Sequence, residues 1–304
     1  MAAPALSVVI PHYGDPEPTA LLIEQLKAQK HAGPLQVIIA DDCSPEPFPP
    51  GDGYEVVRRD TNGGFGSAVN TGVAVARHPM VMVLNSDVEL SATFVSELLA
   101  HAGQHPPSLL GPRVVEAGVP KVSAWRWPRV LGIVAEWLQP LARWHGAAWL
   151  DRFWGADLRA HNAAADTKVE WLVGVCLLLP TSAFRQVGGF DERFFMNCEE
   201  IDLQRRLASA GVHSIYVPGV ELRHAGGGSS DPSRKSGWLV DARFKYHAKW
   251  GGAAGLLVGL TAASVVNLGY NAGRRVLGKE VHPLRSFRRE LALVLHGWNA
   301  RSAP

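Results

Sequence analysis

Met80-Val81-Met82-Val83-Leu84-Asn85-Ser86-Asp87 joins an unbroken apolar run to a polar triplet that ends in a carboxylate. A run without polar alternation is what a strand buried on both faces requires. In open α/β sheets, ligands collect at the carboxyl ends of such strands. A second case is Val37-Ile38-Ile39-Ala40, which closes on Asp41-Asp42. Two acidic strand ends in one half of the chain suggest a site for a nucleotide and a metal, and so an enzyme.

Outward from these runs, strand and helix signals alternate. Leu6 to Ile10 reads as the first strand, and Leu22, Ile23 and Leu26 give Thr19 to Lys30 a helical period. Tyr54 to Val57 is expected as a third strand and Ser67 to Ala76 as a helix of small residues. Ser91 stands where it can cap a helix whose apolar face is Phe94, Val95, Leu98 and Leu99 and whose end is marked by Gly103. Further on, Val169 to Pro180 reads as a strand, and Thr181 starts a short helix ended by Gly188-Gly189. Glu199 opens a helix that Gly211 stops, and Ile215-Tyr216-Val217 and Val220-Glu221-Leu222 are strand-like, with His224 after them. This order predicts an α/β protein with a largely parallel central sheet flanked by helices.

Composition narrows the class. With 304 residues, 47% hydrophobic and 19% charged, the chain can bury a large core and is not of disordered type. A net charge of +2 gives no reason to expect a nucleic-acid partner. Cys43, Cys176 and Cys198 form no CxxC pair and no metal-ligand spacing, which fits a reduced, cytosolic compartment. The N-terminus lacks the basic region of a signal peptide, and its apolar run stops at Pro11-His12-Tyr13-Gly14.

Candidate chemistry gathers in the second half. Glu199, Glu200 and Asp202 share the first turn of one helix. Complementarity to the helix dipole and the i,i+4 partner Arg206 account for Asp202. Glu199 and Glu200 follow the aromatic Phe194-Phe195-Met196, a floor on which desolvation could raise a carboxyl pKa and make a general base. With Asp87, His224 could complete a Mg²⁺ or Mn²⁺ site whose remaining positions a substrate diphosphate fills. Gly226 to Ser230 is a flexible segment followed by Arg234, Lys235, Arg243 and Lys245. It reads either as a loop that closes over a diphosphate or as an ordinary solvated surface.

Two stretches raise the question of a membrane. Residues 121–160 hold six of the ten tryptophans, which suits an acceptor-side lid or membrane-interface surface, or else a helical insertion that packs its indoles on the body. Gly251 to Gly273 carries no charge, with Lys249 before it and Arg274-Arg275 after it. Its many Gly, Ala, Ser, Thr and Asn residues favour an interfacial or partly buried helix over a span. Residues 284–298 set Arg285, Arg288 and Arg289 beside Leu291, Leu293, Val294, Leu295 and Trp298, a basic amphipathic helix that would dock on an anionic leaflet. A plain surface helix or a dimer contact is the alternative.

From about residue 6 to 250 the chain resembles the family 2 inverting glycosyltransferases of GT-A fold. The likeness rests on Val8-Val9-Ile10-Pro11, Asp41-Asp42-Cys43-Ser44, Asn62-Gly63-Gly64-Phe65-Gly66 through Asn70-Thr71-Gly72, and Leu84-Asn85-Ser86-Asp87. It continues in Gly188-Gly189-Phe190-Asp191-Glu192-Arg193-Phe194-Phe195, Glu199-Glu200-Ile201-Asp202-Leu203 with Arg206, and His224. The most similar branch is rhamnosyltransferase-like. The resemblance implies that Asp41 and Asp42 hold the base and ribose of a dTDP- or UDP-sugar. Pro11, Tyr13, Asn62, Gly64, Asn70, Asn85, Ser86 and Asp87 would also lie along the donor. The family's DxD corresponds to Asn85-Ser86-Asp87 with Asn at its first position, which leaves Asp87 and His224 as ligands for Mg²⁺ or Mn²⁺. Its Glu-Asp base pair falls on Glu199-Glu200, so either is the candidate base, and Trp171, Asp202, Arg206, Arg234 and Lys235 are expected near acceptor or diphosphate.

The implied activity is inverting transfer of a sugar, rhamnose by branch likeness, to a lipid-linked or polysaccharide acceptor in cell-envelope glycan synthesis. A sugar nucleotidyltransferase or a non-catalytic sugar-nucleotide-binding protein are the rivals. The first lacks its basic glycine-rich opening loop here, and the second would be expected to lose carboxylates that this chain keeps. The expected organisation is a GT-A domain over 1–250, with a nucleotide-binding half at 1–115, the Trp-rich insertion at 121–160 and an acceptor and catalytic half at 169–250. A helical extension over 251–304 would associate with membrane or form a homodimer, placing the protein in the cytoplasm at the inner face of the cell membrane.

Overall fold

A computed structural model of the chain describes residues 4–31, 33–144, 146–225 and 232–302, with side chains of the last stretch from 236 onward. The first elements are β1 (Leu6–His12), α1 (Glu17–Lys27), β2 (Leu35–Asp41), β3 (Glu55–Arg58), α2 (Phe65–Ala74) and β4 (Met80–Leu84). Next come β5 (Val88–Leu90), α3 (Phe94–Gln104), β6 (Ser108–Glu116), β7 (Val119–Pro120) and β8 (Ala124–Trp125). Then follow α4 (Val130–Trp137), a 3₁₀ turn (Gln139–Trp144), α5 (Ala148–Trp154), α6 (Leu158–His161), β9 (Thr167–Val169), β10 (Trp171–Leu172) and β11 (Cys176–Pro180). The chain continues with α7 (Thr181–Gln186), α8 (Glu199–Ser209), β12 (His213–His224), α9 (Pro232–Trp250), α10 (Ala253–Val276) and α11 (Pro283–Ala300).

Two compact units emerge: Met1–Trp125 with Asp157–Ser229, and Arg126–Ala156 with Ser230–Pro304. The first holds the main sheet, ordered β3-β2-β1-β4-β11-β6-β12-β5. Its β1, β2, β3 and β4 run parallel, as do β6 and β12, whereas β11 lies antiparallel between β4 and β6. Alternate residues of the apolar runs feed two cores. Val8 and Ile10 join Leu22, Leu26, Phe94 and Leu98 on the α1 and α3 face, while Val9 joins Val69, Val73, Phe184 and Leu203 on the face of α2, α7 and α8.

Several local expectations change. Val169 to Pro180 is three short strands, broken at Glu170 and around Gly174, and β10 pairs with β8 in a separate ribbon. The two strand-like pieces near the end of this unit are one strand, β12, whose register shifts between Val217 and Glu221. Pro218 cannot donate to a ladder, so the shift falls there. Ser91 lends only its carbonyl to the Phe94 N–H, and no side chain caps α3.

The second unit is helical, with a small core of Ile133, Val240, Phe244, Leu256, Leu260 and Val294. Its make-up differs from the expected boundary at 250. Helix α9 falls with α10 and α11 because its Val240 and Phe244 are buried in that core. Helices α4 and α5 of the Trp-rich stretch belong here too: Trp137 donates to Ser264 of α10 (3.0 Å), while Trp144 and Trp149 are exposed. Among the described residues, α10 is the one helix long and apolar enough to cross a membrane.

Candidate active site

The acidic end of β2 braces the loops around it. Asp41 is fully buried; its carboxylate accepts the N–H groups of Ser44 (2.8 Å) and Phe48 (3.1 Å) and pairs with Arg58. Burial alone would raise its pKa, but these bonds outweigh burial and hold it below the usual range. Asp42 accepts the N–H groups of Gly63 (3.0 Å) and Gly64 (2.7 Å) and pairs with Arg59 at 3.0 Å. All four carboxylate oxygens thus have partners within the chain. The pair, expected along the donor, fixes the loops after β2 and β3 in the structure. At the same rim Tyr13 is exposed, as is Asn62, and Pro11 is half-buried.

The glycine run after β3 positions the segment leading into α8. Gly64 has φ 85°, and a Cβ there would stand 1.8 Å from the Phe195 carbonyl oxygen, so the loop and that segment touch only because the residue is glycine. Asn70, expected along the donor, clamps the segment. Its Oδ1 accepts the Phe190 N–H (2.8 Å), and its Nδ2 donates to the Phe190 carbonyl (2.9 Å) and to Glu192 (2.9 Å). Asn197 and Cys198 then adopt φ 70° and 63°, a left-handed turn costing non-glycine residues about 1–2 kcal/mol each. Helix α8 starts immediately after it.

That turn delivers two desolvated carboxylates. Glu199 is buried and Glu200 half-buried, yet Oε2 of each is enclosed without a hydrogen-bond partner. The stem of Glu200 lies beside Gly174. Burial raises both pKa values; for Glu199 the neighbouring Glu200 charge adds to it, and Glu200 is pushed up to about 7. Such a group is poised to take a proton near neutral pH.

Asp202 and Arg206, expected near substrate, are bonded within the fold. Asp202 is fully buried and accepts from Arg206 Nε at 2.8 Å, while Arg206 Nη1 donates to the Val187 carbonyl at 2.6 Å. Trp171 is half-buried and stacked on Trp125 at 6.0 Å. Gln204, absent from the sequence expectations, bonds both the N–H (2.8 Å) and carbonyl (2.7 Å) of Leu172, tying this ribbon to α8 one turn beyond Glu200.

The candidate metal centre is set by strand register. Asn85-Ser86-Asp87 forms the half-buried turn between β4 and β5, and β5 pairs with β12 so that Val88 faces His224. Asp87 Oδ1 therefore lies 3.2 Å from His224 Nε2. On the other side His224 Nδ1 lies 3.0 Å from Glu116 Oε1, a residue that no motif flagged. Hydrogen bonding to His224 lowers the pKa of both carboxyls, while the bond to Asp87, then that to Glu116, outweigh burial and raise His224 to about 9.

The donor set fits a divalent ion. One carboxylate oxygen and one imidazole nitrogen converge, and Glu116 holds the far ring nitrogen as outer-shell carboxylates do in histidine metal sites. Among the described residues no cage of three or more His, Cys, Asp or Glu side chains forms, so further ligands would have to come from substrate. Gly226 to Ser230 and the side chains of Arg234 and Lys235 lie outside the described residues. Arg243 is engaged with Glu136 at 2.5 Å within the helical unit.

A mainly parallel sheet, an acid-ended turn, a histidine from the last strand and a desolvated carboxylate pair together define the GT-A class of fold. The mannosyltransferase PcManGT from Pyrobaculum calidifontis, solved with GDP-Man and Mn²⁺, has this architecture. It aligns with a TM-score of 0.55 at 12% identity, over 98% of this chain and 87% of its own. Residues 7–143 match the model of glycosyl transferase family 2, and the chain belongs to that family. It is 35% identical over 210 residues to the N-acetylglucosaminyl-diphospho-decaprenol L-rhamnosyltransferase of Mycobacterium tuberculosis, covering 63% of this chain and 66% of that one. The rhamnosyltransferase WbbL of Escherichia coli K12 is 39% identical over 87 residues, 28% of this chain and 33% of its own. The chain therefore spans just under two thirds of the mycobacterial relative's length and a third of the E. coli one.

Proposed function

We propose that the protein is an inverting glycosyltransferase that moves a sugar, rhamnose by likeness to its relatives, from a nucleoside diphosphate to a lipid-linked or polysaccharide acceptor. The enclosed, unpartnered Oε2 of Glu200 is the observation that carries this reading. Of the two adjacent carboxylates, Glu200 is the more accessible, and Glu199 is the buried neighbour. Glu200 takes the proton of the acceptor hydroxyl as its oxygen attacks the anomeric carbon. The bond from that carbon to the diphosphate oxygen breaks on the opposite face, which inverts the centre.

Asp87 and His224 would hold the Mg²⁺ or Mn²⁺ ion, and Glu116 fixes the imidazole that faces it. When bound, that ion neutralises charge developing on the leaving diphosphate. Trp171 on its stacked ribbon offers an apolar plane to an acceptor sugar. The dTDP- or UDP-sugar donor is carried over from the family resemblance, with Asp41 and Asp42 holding the loops at the end of β2 where that resemblance puts the base and ribose. The M. tuberculosis relative's name supports a decaprenol-type acceptor, which would place the reaction at the cytoplasmic face of a membrane.

Thermal-shift titration with dTDP-, UDP- and GDP-sugars, each with and without Mn²⁺, tests the donor site. One donor should stabilise the chain only with metal, and Asp87→Ala should lose that shift. Unchanged metal-dependent binding in Asp87→Ala would remove the assigned site. Glu200→Gln should keep donor binding and lose transfer; full turnover would refute Glu200 as base.

A further inference from the structure

Helix α10 carries its polarity inside out. Its inward face ends in Ser264, Asn267 and Asn271, all buried. Ser264 accepts from Trp137 (3.0 Å), and Asn267 bonds the Gln139 N–H (2.8 Å), the Trp137 carbonyl (3.0 Å) and Glu290 (3.1 Å). Asn271 donates to Gln139 at 2.9 Å. The outward face is apolar instead: Val258, Val265, Val266, Tyr270 and Val276 are exposed, with Val276 at 87%. These positions recur at helical spacing and form one stripe, and no charge interrupts the sequence from Gly251 to Gly273. A helix facing water shows the reverse arrangement.

We infer that this outer stripe seats in the interfacial layer of an anionic lipid bilayer, with α10 lying along the membrane. Charge selects lipid over a second copy of the chain. Arg274, Arg275, Lys279, Arg285, Arg288 and Arg289 cluster where α10 turns into α11. The only acids from Gly251 to the end are Glu280 and Glu290, and Glu290 is held inward by Gln139 and Asn267. Two such faces would repel, whereas anionic headgroups match them. A groove of about 770 Å³ at this corner is lined by Arg275, Arg285 and Arg288 together with Val276, Pro283 and Leu284, pairing phosphate-binding cations with apolar surface.

The helix lies along the membrane because its inner face is tied to neighbours that cannot enter hydrocarbon. Glu290 and Gln139 are hydrogen-bonded to it, and α11 exposes Arg285, Arg288 and Arg289. In plane, the stripe meets acyl chains while these groups stay at headgroup level. The inference stands on this unit alone and does not depend on the proposed activity.

Flotation of the full chain with vesicles of phosphatidylcholine alone and of phosphatidylcholine mixed with phosphatidylglycerol tests it. Binding is expected only to the mixed vesicles. It should weaken roughly tenfold or more in Arg285→Glu/Arg288→Glu and in Val265→Glu/Val266→Glu. All four sites are exposed, and melting curves matching the wild type would show the variants folded. Failure of the wild type to float with mixed vesicles, or undiminished binding by both variants, would overturn the inference. So would a wild-type dimer in lipid-free light scattering that Val265→Glu/Val266→Glu converts to monomer, because a second copy would then cover the stripe.

Discussion

Glu200→Gln is predicted to make the protein more stable and inactive at once. The wild-type carboxyl titrates near 7 against an ordinary 4.5, because its Oε2 is enclosed without a partner. The difference, at about 1.4 kcal/mol per pH unit, puts the cost of holding it ionised at up to about 3 kcal/mol. Its sign follows from proton uptake. Below 4.5 the carboxyl is protonated in both folded and unfolded chains, and nothing is lost. Between 4.5 and about 7 the folded state binds more protons, so stability falls as pH rises, and above about 7 the full cost is present. An uncharged amide of the same shape removes it. Melting curves of both proteins should coincide near pH 4.5 and separate by several degrees near pH 8, the variant melting higher. Sugar transfer measured in parallel should be lost. A variant no more stable than wild type near pH 8 would refute the claim that this carboxylate is held at a cost.

Other consequences can be checked with the same assays. Because Glu200 works ionised, kcat/KM should fall about tenfold per unit as pH drops below about 7, and a flat profile there would count against it. Glu116→Ala removes the bond to His224 Nδ1 and should weaken Mn²⁺-dependent donor binding about 10–100-fold, with Glu116→Gln recovering part; identical binding in all three would remove its positioning role. Asn70→Ala deletes three bonds to the Phe190–Glu192 segment and should cost about 2 kcal/mol of stability and lower kcat more than donor affinity. The opposite split would make Asn70 a donor ligand.

The parts of the fold legible in sequence were those whose burial is two-sided. β1, β2 and β4 announce themselves as apolar runs because both faces of each strand are covered. Helix α8 was legible from its acidic first turn and its glycine stop. The strands around Gly174 were not, since β10 pairs with β8 while β11 pairs with β4 and β6, partners distant in sequence. The same distance explains the site. Asp87 and His224 could be paired through motif order, but Glu116 arrives only because β6 and β12 pair in parallel, with Arg223 opposite Val115. Asp41 and Asp42 were placed correctly at strand ends, yet their partners are loop N–H groups and arginines that only folding brings near. The Asp202–Arg206 pair was legible from helix spacing.

The insertion of β11 between β4 and β6 has a consequence for how the chain is made. As the polypeptide leaves the ribosome, β3, β2, β1 and β4 can pair among themselves, but the free side of β4 has no neighbour until Cys176–Pro180 has been synthesised. Until then a fully apolar strand presents open backbone groups to any other chain, a hazard that grows with slow translation. A fragment limited to the family-matching residues 7–143 would keep that open edge permanently and would lack Glu200 and His224. The segment most easily recognised is thus the least able to stand alone.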